Sequence, residues 1–88
     1  MARYKSDLEG PTALYRAFSD CGCLLYVGIT RNPLGRMAKH GCTKAWWRTS
    51  VTSITYEWFD TRAAAYHAEA VAIQEEAPVH NIARPRVV

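Results

Sequence analysis

From Thr12 the chain alternates. Leu14 and Phe18 point to one side of an extended segment, and Ala13, Tyr15 and Ala17 to the other, which predicts a strand over Thr12 to Ser19. Asp20-Cys21-Gly22-Cys23 supplies turn residues for a hairpin. A second strand follows from Leu24 to Thr30, with Leu25, Val27 and Ile29 on one face and Tyr26, Gly28 and Thr30 on the other. Period two then lets Tyr15 and Tyr26 share the face of the hairpin turned away from the core. Asn32 and Pro33 open a helix, as N-cap and first helical residue. The expected stop is Gly41, just after His40. Lys44 to Arg48 reads as a second short helix. Val51 to Phe59, rich in β-branched and aromatic residues, reads as a third strand. Asp60 or Thr61 caps a last helix that six alanines between Ala63 and Ala72 carry to about Glu76, with Pro78 just beyond it.

The resulting order, β-β-α-(α)-β-α, predicts an α+β domain in which helices pack on a small sheet. At 88 residues there is room for one such domain, placed at 12–83 between a polar tail (1–11) and a C-terminal tail (84–88). A 49% hydrophobic share argues against disorder through the middle. The net charge of +3 and pI of about 8.9 permit a nucleic-acid partner without demanding one. No apolar run approaches the roughly 18 residues of a membrane span. Three cysteines, an odd number, and no apolar leader at the N-terminus predict free thiols in a reducing, cytoplasmic setting.

Against this background a few polar residues stand out. Glu69 has Ala65, Tyr66, Ala72 and Ile73 at i−4, i−3, i+3 and i+4, so its carboxylate falls in the stripe that should face the sheet. There it needs a cation, a metal or hydrogen bonds. A plainer reading has it snorkel out or pair with Arg36 or Arg16. Arg36 and His40, four apart, share one helix face. A guanidinium fork suits phosphate oxygens, and an imidazole exchanges protons near neutral pH. The plainer reading is a solvated basic face with Lys39. Tyr15 and Tyr26 are either rim aromatics or phenols beside a phosphate. Gly28 marks a close approach or a bulge. Trp46 and Trp47, with Lys44 and Arg48, could stack bases and hold phosphates. Cys21, Cys23, His40 and Cys42 also form a weak zinc set with poor spacing.

In this arrangement the chain resembles the GIY-YIG nuclease family. Ala13-Leu14-Tyr15 stands where that family has its first tripeptide, with the tyrosine kept, and Tyr26-Val27-Gly28 where it has its second. Arg36 resembles the family's helix arginine, and His40 the polar residue one turn on. Glu69, trailed by Ile73, Pro78 and Asn81, resembles its metal-binding glutamate. Gly28-Ile29-Thr30 and Phe59-Asp60-Thr61-Arg62 are also similar, so the likeness runs from about Thr12 to Asn81.

The resemblance implies a three-stranded antiparallel sheet flanked by helices, and a DNA endonuclease that uses one divalent ion, Mg²⁺ or Mn²⁺. In that scheme Glu69 holds the metal and Arg36 offsets charge on the phosphate. Tyr15, its pKa lowered by nearby cations, takes the proton from water, with Tyr26 and His40 orienting water or phosphate. Gly28, Thr30, Arg31, Lys39, Lys44, Trp47 and Arg48 are expected to meet DNA, and Asn81 to lock the loop after the last helix. With no room for a DNA-reading domain, the chain is expected to be structure-selective, weakly specific, dimeric or guided by a partner protein. The rival expectations are a nucleic-acid-binding module of the same fold that cuts little or not at all, and a small zinc-stabilised interaction domain.

Overall fold

The computed structural model describes residues 10–81. The predicted C-terminal tail and all but Gly10 and Pro11 of the N-terminal one lie outside the described residues. Three strands and three helices follow in order: β1 (Thr12–Phe18), β2 (Leu24–Thr30), α1 (Pro33–Thr43), α2 (Ala45–Ser50), β3 (Ser53–Phe59) and α3 (Arg62–Glu76). They form a three-stranded antiparallel sheet in the order β2-β1-β3, with helices packed on it. No helix among the described residues is long and apolar enough to cross a membrane.

β1 is the central strand, so its backbone is paired on both sides and its alternating side chains divide the interior in two. On one face Leu14 packs with Val27, Ile29, Ala65 and Ala72, and α3 closes over them. Small alanines bring that helix close to the sheet. On the other face Tyr15, Ala17 and Trp47 form a second cluster, with Tyr26, Met37, Trp46, Val51 and Ile54 against it.

The second cluster corrects one expectation. Tyr15 and Tyr26 do share a face, through the pairs Tyr15↔Gly28 and Ala17↔Tyr26. That face is not turned away from the core, because α1 and α2, which link β2 to β3, fold back across it. Tyr15 is only 1% exposed.

The element ends also differ in places from expectation. α1 runs through Gly41 to Thr43, and Lys44, in extended conformation, ends it by donating its N–H to the His40 carbonyl. Arg48 Nη1 reaches back to the Gly41 carbonyl at 2.6 Å. β3 starts two residues later than predicted because the Val51 N–H is still bonded to the Trp47 carbonyl of α2. The caps at Asn32 and Thr61 each accept a backbone N–H from three residues on, as N-caps do. The β1–β2 turn needs Gly22, whose φ of +86° an L side chain resists.

β2 is an edge strand, and an open edge invites unwanted pairing. Here the segment after α3 covers it. Val79 and His80 donate N–H groups to the Leu24 and Leu25 carbonyls at 3.2 and 2.9 Å. Asn81 then acts as one more strand residue. Its Oδ1 accepts the Val27 N–H at 2.7 Å and its Nδ2 donates to the Val27 carbonyl at 3.0 Å. Asn81, expected to lock this loop, is 3% exposed, and the neighbouring Pro78 is fully buried.

Replacing Asn81 with alanine strands both Val27 backbone groups in a buried place. Unsatisfied groups of this kind cost about 1–3 kcal/mol each, so Asn81→Ala should lower unfolding free energy by at least that amount in urea titration. A loss under about 0.5 kcal/mol would show that water replaces the amide.

Candidate active site

Tyr15 lies in the second core cluster, where its phenol meets a set of polar side chains. Its ring lies across Gly28, its cross-strand partner, so closely that a Cβ there would collide with the phenol Oη and Cζ. A glycine is required because the tyrosine occupies the space of a side chain. Gly28 was expected to meet DNA; it is buried and instead makes room for Tyr15.

The phenol then meets α1. Tyr15 Oη and His40 Nε2 are 2.8 Å apart in a buried hydrogen bond. The i, i+4 spacing that put Arg36 and His40 on one face aims both at this oxygen, His40 from inside and Arg36 from the exposed rim. Tyr26, two strand positions from Gly28, packs edge-on to His40 with ring centroids 5.5 Å apart, and lies 6.1 Å from Tyr15. Glu69 enters from α3, half-buried, near enough for its charge to act on the Tyr15 phenol. Of the five residues predicted to carry chemistry, His40 bonds the Tyr15 phenol, Tyr26 packs beside both rings, and the charges of Arg36 and Glu69 act on the phenol, although 54 positions separate Tyr15 from Glu69.

The electrostatics of this cluster correct another expectation. The phenol was expected to be acidified by its cations. Its pKa is instead raised well above the ordinary 10.0, chiefly by burial, with Tyr26 and Glu69 adding to the rise. Arg36, through its charge and a hydrogen bond, opposes them but does not win. His40 moves the other way. Burial first, then the charges of Lys44, Arg36 and Lys39, pull its pKa down from 6.5 to about 4. At neutral pH the pair is therefore a protonated phenol beside a neutral imidazole; in the Nδ1–H tautomer the phenol O–H donates and Nε2 accepts.

The remaining candidates divide by exposure. Lys39, Arg48 and Arg31 are exposed, and Lys44, half-buried, has its ammonium 5.7 Å from the Tyr26 ring centroid. Trp47 is 6% exposed and packs at a tilt against His40, ring centroids 4.4 Å apart, so it supports the imidazole from within the core. Thr30 is buried, and its hydroxyl accepts the Asn32 N–H at 3.0 Å, so it braces the start of α1. Sequence reasoning missed one contact. Trp46 stacks flat on His80, centroids 3.6 Å apart, and so ties α2 to the segment that carries Asn81. No periodic pattern connects those positions. It also had no signal for the pairing of Arg16, whose fork grips Glu76 with two 2.9 Å bonds and lies 3.6 Å from Glu57.

The zinc set does not assemble. Cys21 and Cys23 are exposed at the hairpin turn with their sulfurs 3.3 Å apart, while His40 Nε2 is engaged by Tyr15. Among the described residues no three His, Cys, Asp or Glu gather as ligands. One half-buried carboxylate beside phenols and a guanidinium suits a hard cation that keeps its waters and shares a substrate phosphate. A family model, the GIY-YIG catalytic domain, matches residues 12–82, most of the chain. Comparisons with curated proteins and with solved structures gave no match.

The His40 shift has a measurable consequence. Between pH 6.5 and about 4 the unfolded chain binds a proton at this residue that the folded chain refuses, so this contribution to stability is complete above pH 6.5 and is lost as pH falls toward 4. The imidazole resonances of His40 should titrate near pH 4. His40→Gln should be less sensitive to that pH window than the parent in denaturant titrations. A midpoint near 6.5 would mean that burial does not control the imidazole.

Proposed function

This chain belongs to the GIY-YIG family, a family of endonucleases, and on that premise we propose that it hydrolyses a DNA phosphodiester with the help of one divalent cation, Mg²⁺ or Mn²⁺. The observation that carries this reading is the buried 2.8 Å contact between a protonated phenol and a neutral imidazole, with a guanidinium and a carboxylate bearing on the same oxygen.

The proposed roles follow from the protonation states. A phenol this reluctant to ionise is a poor base by itself. Joined to a neutral imidazole, it works as a relay. As water attacks phosphorus, Tyr15 Oη accepts a water proton while its own proton passes to His40 Nε2. One proton arrives and one leaves, so no phenolate has to accumulate in the buried site. Arg36 spreads its fork toward the non-bridging oxygens from the rim and offsets the charge that grows on them. Tyr26 fills the wall beside His40 and steers water or phosphate with its hydroxyl. Lys39 and Lys44 keep His40 neutral by repulsion and attract the strand. Glu69 is the residue to hold the cation, which when bound supplies Lewis-acid polarisation of the phosphate and stabilises the leaving oxygen.

Nicking of supercoiled plasmid tests the proposal directly. The parent should nick with Mg²⁺ or Mn²⁺ and stop on addition of chelator. Binding of DNA without nicking under either condition would favour a binding module of the same fold. Glu69→Gln should abolish nicking and leave the thermal unfolding curve nearly unchanged, because it removes the charge and keeps the shape. Full cation-dependent nicking in that variant would remove Glu69 from the metal site.

The relay makes a separate prediction. Tyr15→Phe and His40→Gln should each lower the rate by roughly two to four orders of magnitude, the usual worth of acid–base catalysis. Residues that act as one unit are not additive, so the double variant should be about as slow as either single one. Rate losses that multiply would assign the two residues independent tasks.

A further inference from the structure

The catalytic face of the sheet continues past Tyr15 onto β3. The register Ala17↔Ile54, Tyr15↔Tyr56 and Ala13↔Trp58 puts Ile54, Tyr56 and Trp58 on the Tyr15 side. Ile54 packs into the core beneath the site. Tyr56 and Trp58 do not, and with 42% and 55% of their surface exposed they are among the largest apolar groups the chain presents to solvent. Their strand neighbours Thr55 and Glu57 point to the opposite face, where the Glu57 carboxylate lies 3.6 Å from Arg16. The aromatic side of β3 is thus clear of that carboxylate. It shares its sheet face with the Tyr15 site, where the charges of Lys44, Arg36 and Lys39 act on His40.

We propose that Tyr56 and Trp58 form a ledge on which unpaired bases stack while the adjoining backbone lies in the Tyr15 site, so that the preferred substrate is DNA with single-stranded nucleotides next to the scissile phosphate. The inference rests on the nuclease reading and adds a substrate class to it. Three physical points carry it. Opposed residues on one sheet face stand about 5 Å apart at Cβ, which roots the Tyr56 side chain next to that of Tyr15 on the same face. Residues two apart along a strand are separated by about 7 Å, roughly twice the 3.4 Å rise per base of a stacked strand, so one strand can seat bases on both rings only if they are splayed. Bases inside a duplex have their faces covered by neighbours, whereas unpaired bases stack on exposed aromatics beside cations that hold the backbone. A second copy of the chain is the competing occupant, since the outer edge of β3 is a sheet edge. The two rings project from the face and not from that edge, and the cations around the Tyr15 site on the same face favour a polyanion.

The test is fluorescence anisotropy at fixed salt with chelator present, using a labelled single strand, a duplex with a single-stranded flap, and a blunt duplex. Trp58→Ala and Tyr56→Ala should each weaken single-strand and flap binding by about five- to 150-fold, the range that stacking of one base corresponds to. Blunt-duplex binding should stay within twofold, and Trp58→Phe should keep most of the flap affinity. Thermal unfolding should be unchanged, since both rings are exposed. Equal losses on all three DNAs, or no loss, would overturn the ledge even if the parent nicks plasmid with Mg²⁺. If the parent never nicks and flap binding still depends on Trp58, the ledge stands and the nuclease reading fails. A parent dimer in sedimentation that Trp58→Ala dissociates, with DNA affinity unaltered, would assign the face to a second copy and overturn the proposal.

Discussion

The packing of Tyr15 onto Gly28 is the constraint from which the rest of the site follows. A tyrosine in the central strand has neighbours on both sides and a helix above it, so its ring can lie flat only where the adjacent strand offers no side chain. Gly28 provides that place, and any Cβ would push the phenol away. Once the ring is down, Oη is held at a depth that only a side chain descending from α1 can reach. His40 reaches it. The i, i+4 repeat then brings Arg36 to the same oxygen from the rim.

Burial also decides the chemistry. Cations close to a phenol normally favour its ionised form, and Arg36 does act in that direction. Desolvation is the larger effect on Tyr15, and on His40 desolvation and neighbouring cations act together. The site therefore keeps both residues neutral and joined by one proton. This suits a transfer in which charge appears only as the phosphate reacts, and it avoids the cost of keeping an unpaired buried charge at rest.

The frame that presents the site depends on covering one edge of the sheet and leaving the other open. Val79, His80 and Asn81 occupy the hydrogen-bonding positions of β2, and Trp46 stacked on His80 links that cover to α2. The positions of β2 and α2, and through them the walls around Tyr15, are thereby tied to the chain that follows α3. On the opposite side β3 has no such cover among the described residues, and its burial is slight along its length.

Local sequence determined the element order, the helix caps at Asn32 and Thr61, and the membership of each strand face. These depend on period-two and period-3.6 spacing and on turn chemistry, which act over a few residues. The same spacing placed Arg36 with His40 and set Glu69 inside an apolar stripe, and with the family's tripeptides it marked Tyr15, Tyr26 and His40, now found in contact, and Arg36 and Glu69, whose charges act on the phenol. What the alternation could not convey was that both sheet faces are covered at β1 and β2. That depends on α1 and α2 folding back over the Tyr15 side, a long-range event. Four residues read differently for that reason: Gly28 and Thr30 are buried, Gly28 under the Tyr15 ring and Thr30 bracing the start of α1, Trp47 is a buried support for His40, and the Tyr15 phenol is harder to ionise instead of easier. The pairing of Arg16 with Glu76, 60 residues away, and the stacking of Trp46 on His80 likewise have no local signature. Sequence could name the residues because identity and spacing are local. Only the tertiary structure could set their protonation, because desolvation depends on everything packed around a group.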